Sequence, residues 1–124
     1  MADPLRAERD GALLRITLTR PDRRNALDAE LMTALREREI VLEICPTSNL
    51  LTKALAGEDE VRETFRAFAD HGVPFTIATD GPEMMHTHLR DELELLERIG
   101  ALDTDELRAA NARGHAASFI GRPR

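Results

Sequence analysis

"GVPFTIATDGPEM", residues 72–84, decides how this chain folds. Gly72 sits where a helix would stop, Val73 opens a short apolar run, and Asp80-Gly81-Pro82 breaks it. A near-continuous apolar run of this length bounded by turn residues suits a strand buried on both faces. "IVLEIC", residues 40–45, reads in the same way and ends at "PTSN".

The segments around these two strands have helical periodicity. Val61, Phe65 and Phe68 recur at i, i+4 and i+7 in a helix expected over 59–71. Leu89, Leu93 and Leu96 form the stripe of a helix expected over 84–99, closed by Gly100. Asp103, followed three residues later by Glu106, opens a last helix that runs on towards Phe119. Upstream, Asp28 is placed to cap a helix carrying Leu31, Ala34 and Leu35. Buried strands alternating with amphipathic helices predict an α/β fold built from parallel βα units. Nearer the start, "LLRITLT" alternates, so Leu14, Ile16 and Leu18 share one face of an N-terminal strand. "RPDRRN" then turns the chain, and residues 1–10 are expected to fray.

Composition narrows the partners. The 124 residues carry a net charge of −6, which argues against a nucleic-acid or membrane-surface partner. No apolar stretch approaches a membrane span, and no charged start leads into an apolar signal region. The single cysteine, Cys45, forms no internal disulfide and fits a cytoplasmic location.

Chemistry in parallel βα architectures gathers at the carboxyl ends of strands. Two such ends are available, residues 45–49 and 79–82. Asp80 could ligate a metal, act as a general base or cap the following helix. Ser48 and Asn49 could bond a ligand or satisfy the turning backbone. Cys45 has no evident base beside it, and "GEDE" reads as a solvated helix start. Seven strand residues put His71 about 20 Å from Asp80, too far to share a metal. His86 and His88 lead into a helix, where a spacing of two diverges, and His115 lies in the last helix.

"LEICPTSN", then "GVPFTIATDGPEM" and "LRDELELL", resemble the C-terminal part of the adenosine deaminase family, over residues 31–119. The resemblance implies zinc-dependent (β/α)8 barrels, with "IVLEIC" and "PFTIATD" as the seventh and eighth strands. It makes the chain a partial TIM-barrel-like fragment, the last two βα units with an N-terminal strand and a C-terminal helix. Asp80 then matches the zinc-ligating aspartate, and the substrate is a purine-like small molecule. Where the family commonly has a second aspartate bonding the purine ring, this chain has Gly81, a substrate-binding position without a side chain. The remaining zinc ligands and the proton-handling glutamate belong to earlier strands, so the chain alone is expected to be inactive, with no catalytic residue of its own to name.

"GALLRITLTRPDRRNALDAELMTAL", residues 11–35, resembles the opening of the enoyl-CoA hydratase (crotonase) family. That implies two segments, 1–30 and 31–124, and a coenzyme A thioester as an alternative ligand. A third reading is a non-catalytic protein that self-associates through unpaired strand edges, as a homo-oligomer.

Overall fold

The computed structural model describes residues 2–24 and 26–120. The chain opens with an antiparallel hairpin, β1 (Leu5–Asp10) and β2 (Leu13–Leu18), in the register Leu5 to Leu18 through Asp10 to Leu13. Residues 5–10 are thus a strand and not a frayed end, because a cross-strand partner satisfies backbone groups that the polar sequence gives no hint of. The N-terminal strand expected from "LLRITLT" is one half of this hairpin. Its apolar side faces outward: Leu14, Ile16 and Leu18 are 46%, 38% and 41% exposed.

A single 3-10 turn, Pro21–Arg23, leads to α1 (Ala29–Glu37); Asn25 of the expected turn lies outside the described residues. Asp28 caps α1 as expected, accepting from the Leu31 N–H at 3.1 Å. Arg20, almost buried, holds that cap in place. Its guanidinium donates to both Asp28 oxygens, at 2.7 and 2.8 Å, to Glu30 at 3.0 Å and to the Ala26 carbonyl. The distinctive "TRPDRRNALD" stretch therefore has a structural use at the entry to α1.

β3 (Leu42–Ile44) pairs parallel with β4 (Phe75–Ile77) in the register Leu42–Phe75, Glu43–Thr76 and Ile44–Ile77. Between them run α2 (Pro46–Leu51) and α3 (Glu58–Asp70). After β4 come α4 (Pro82–Met85), α5 (Leu89–Arg98) and α6 (Thr104–Ala117). This confirms a mixed α/β chain with a parallel strand pair at its centre. β4 is buried on the face of Phe75 and Ile77, while Thr76 on its other face is half-buried. β3 is not buried on both faces: Leu42 and Ile44 are half-covered and Glu43 is exposed.

Two helical expectations change. The segment read as a turn after Cys45 is a helix, because Pro46 sits at its first position, where a missing N–H has no consequence. The helix expected over 84–99 is two helices. His86 adopts a left-handed φ of 51° and His88 is extended, which interrupts the backbone ladder.

The core joins Leu31 and Leu35 of α1, Val61, Phe65 and Phe68 of α3, and Leu96 of α5 around β4. Phe65 meets Phe75 edge-to-face at 5.5 Å. Gly72 and Gly100 end α3 and α5 with φ of 67° and 71°, a region that glycine enters without strain. α6 packs directly on β4: a Cβ at Gly114 would come 2.4 Å from Thr76 Oγ1, so any side chain here would force Thr76 to shift.

Candidate functional site

The carboxyl ends of β3 and β4 lie side by side, since the Ala78 N–H donates to the Ile44 carbonyl at 3.0 Å. This brings Cys45, Ser48 and Asp80 together. Ser48, buried on the first turns of α2, donates its hydroxyl to Asp80 Oδ2 at 2.9 Å. Asp80 does not cap α4, whose cap position is Gly81. Its carboxylate is exposed and its φ is 63°, left-handed. Non-glycine residues are uncommon in that region, and they gather where surrounding structure holds a functional group in place.

Cys45 sits beside them. Burial pushes its thiol up, and the negative charges of Asp80, Glu43 and Glu92 add to the effect. A raised thiol is the opposite of what nucleophilic or metal-binding cysteine chemistry requires.

One important residue is not evident from strand-end reasoning. Glu92 of α5 is fully buried, and its two oxygens accept from the Thr47 N–H at 3.1 Å and the Thr87 hydroxyl at 3.2 Å. It thereby fixes the amino end of α2, one residue before Ser48. The signal was available in the sequence. Glu92 falls three residues after Leu89 and four before Leu96, on the apolar stripe of its own helix.

Gly81 stands next to Asp80 with an ordinary φ of −114°. A Cβ there would meet Met84 Cβ at 3.8 Å, an ordinary contact, so packing does not demand glycine. His86 and His88 flank the buried Thr87 with both rings exposed, and His71 bonds the Ala67 carbonyl through Nδ1 at 2.8 Å. Among the described residues, no three His, Cys, Asp or Glu side chains converge to hold a metal ion. A catalytic zinc takes three protein ligands plus water. The described donor set, one exposed carboxylate beside a protonated thiol, does not fit zinc by itself.

Beside Asp80 opens a cleft of about 360 Å³, mostly apolar, along β3 and α3. Leu42, Ile44, Leu55 and Phe68 form its walls, with Asn49, Cys45 and Asp80 at one end. Among the described residues, no helix is long and apolar enough to cross a membrane.

Comparison with known proteins follows the same residues. The family described as adenosine deaminase matches residues 18–124. Aminodeoxyfutalosine deaminase of Streptomyces coelicolor is 39% identical over 99 residues, 80% of this chain and 25% of that protein. Adenosine deaminase of Clostridium botulinum is 35% identical over 91 residues, 73% and 27% of the two chains. Adenine deaminase of Rhizobium rhizogenes is 33% identical over 110 residues, 85% and 34%. The chain spans about a quarter to a third of the length of these relatives. No solved structure matches it. The family match begins at residue 18, inside residues 11–35, where the sequence led to the expectation of a crotonase-like opening; no comparison shows that resemblance.

Proposed function

Because this chain belongs to the adenosine deaminase family, we propose that it carries the metal-ligand carboxylate of a hydrolytic deaminase, with Asp80 as that ligand and an amine-bearing, purine-like substrate. The observation that carries the reading is Asp80 itself. It stands at the carboxyl end of β4, exposed, in a left-handed backbone conformation, with one oxygen bonded by Ser48. A helix cap or a packing residue needs none of these features together.

Zinc is the metal the family reading implies. Asp80 is one donor where zinc takes three, so a metal here would draw its other donors from outside the described residues. The Ser48 bond restricts rotation of the carboxylate. Gly81 removes a side chain from the position beside the ligand and leaves room there. The substrates named for the relatives differ in the groups attached to the base, and Gly81 points away from adenosine within that class.

A transplant tests the proposal. The 99 matched residues replace the corresponding segment of the Streptomyces coelicolor relative. Deamination in a folded chimera that disappears on Asp80→Ala supports the assignment. A folded chimera that releases ammonia equally well with Asp80→Ala overturns it.

A further inference from the structure

Glu92 is fully buried, and both of its oxygens are bonded. One accepts from the Thr47 N–H at the amino end of α2. That donor has no partner inside its own helix, because the α-helical ladder starts with the Asn49 N–H on the Cys45 carbonyl. Cys45 holds the cap position without a side-chain bond, and Pro46 has no N–H to offer. A carboxylate from a helix far along the chain therefore does what a capping residue ordinarily does. The residue after Thr47 is Ser48, whose hydroxyl holds the Asp80 carboxylate.

The second oxygen reaches Asp80 from the other side. It accepts from the hydroxyl of buried Thr87, and the Thr87 N–H donates to the Pro82 carbonyl at 3.2 Å, two residues past Asp80. Between Asp80 and Thr87 lies α4, a single turn flanked by left-handed residues, Asp80 at φ 63° and His86 at φ 51°. A helix of one turn is not stable alone. Left-handed backbone at residues other than glycine persists only where surrounding contacts over-determine it. Thr87 anchors the far end of this segment, and Glu92 anchors Thr87.

We propose that Glu92 is the positioning residue for Asp80. One buried carboxylate holds α2 through Thr47 and the turn at residues 80–82 through Thr87, so the same group sets both the side chain and the backbone of Asp80. Being fully buried, it acts through Ser48 and Thr87 and not on a substrate itself. Supporting contacts of this kind hold a working side chain in one orientation before its ligand arrives. The inference rests on the reading of Asp80 as a ligand, and every contact it uses lies within residues 47–92.

Side-chain couplings of Asp80, measured by NMR on the labelled full chain, test the geometry without any activity. Asp80 is expected to keep one χ1 rotamer in the wild type and to average between rotamers in Ser48→Ala. Glu92→Met keeps the volume and removes both acceptors, and Asp80 is expected to average there as well. Glu92→Gln keeps an acceptor and should restore most of the wild-type order. Thr87→Val, with the same expectation, replaces Glu92→Met if circular dichroism shows the latter unfolded. An averaged Asp80 in the wild type overturns the proposal. So does an ordered one in folded Glu92→Met or Thr87→Val, which is what a packing role alone would give. In the folded chimera with the Streptomyces coelicolor relative, Glu92→Met is expected to lower ammonia release at saturating substrate by about tenfold or more. KM should change little, and Glu92→Gln should recover most of the rate. Full activity in Glu92→Met where Asp80→Ala has none overturns the positioning and leaves the ligand reading intact. Activity that survives Asp80→Ala overturns the ligand reading instead, and the couplings then decide the positioning alone.

Discussion

Ser48 and Asp80, 32 residues apart, are bonded across the carboxyl ends of the two parallel strands, hydroxyl to carboxylate oxygen at 2.9 Å. The bond ties α2 to the turn after β4 and orients the carboxylate proposed as a ligand. Ser48→Ala removes the donor while leaving the exposed carboxylate free to hydrate. Its expected cost is about 1 kcal/mol, read from a chemical denaturation curve.

Asp80→Asn has a different expected sign. The carboxylate is exposed, so removing its charge does not relieve a buried-charge penalty. Asparagine keeps an oxygen for the Ser48 hydroxyl and tolerates left-handed backbone as well as aspartate does. The change is expected to be neutral, within about 0.5 kcal/mol, in the same denaturation assay. A loss of 2 kcal/mol or more, of the order reserved for broken buried networks, would show that Asp80 is a structural residue.

Glu92→Ala strips the partner from both the Thr47 N–H and the Thr87 hydroxyl inside the molecule. A cavity and two unmet donors are expected to cost roughly 2–4 kcal/mol. Glu92→Gln keeps an acceptor and most of the volume and should recover more than half of that. Amide exchange localises the effect: Thr47 loses protection in the alanine variant and regains it with glutamine.

Gly114→Ala forces Thr76 away from α6, because the added methyl would sit 2.4 Å from its hydroxyl oxygen. Overpacking of this kind costs about 1–3 kcal/mol. The expected drop in melting temperature should be larger than for alanine at Gly57, where a Cβ meets nothing within 4 Å.

Asp28 supplies a pH test. The Arg20 guanidinium, and then the Leu31 N–H, hold its carboxyl well below the usual carboxylate range. A pKa depressed by folding gives stability that is complete above the unfolded value, near about 4, and fades as pH falls towards the folded value. Asp28→Asn should therefore melt below the wild type at pH 7, with the difference shrinking below about pH 4. A gap that stays constant down to pH 2 would mean that the carboxylate charge contributes nothing at this position.

What could be read from the sequence was local chemistry. Asp28 and the Asp103–Glu106 pair announce helix starts because a cap bonds within three residues of itself. Asp80 could be placed at a strand end because Gly81-Pro82 ends an apolar run. The misread segments depend on distant partners. β1 exists through its pairing with β2, and the amino end of α2 is held by Glu92, 45 residues from Thr47. The break at residues 86–88 depends on Thr87 turning inward to that same glutamate. The pattern around Leu89 and Leu96 marks Glu92 as buried, but it does not name the partners, 45 and 5 residues away, that Glu92 holds.

The last prediction concerns zinc. A ligand that binds only the folded chain raises its stability by RT ln(1 + [L]/Kd), about 2.7 kcal/mol at a hundredfold excess over Kd, which a melt detects easily. Asp80 alone cannot supply such affinity, since among the described residues no group of three His, Cys, Asp or Glu side chains forms around it. Zinc at tens of micromolar is therefore expected to leave the melting temperature of the wild type and of Asp80→Asn unchanged, at low and at high protein concentration. Under the same conditions the chain by itself should release no ammonia from adenosine above background. A zinc-dependent rise confined to the wild type would show Asp80 already acting as a ligand within this chain or its assemblies. A rise shared equally by both proteins would place the metal elsewhere.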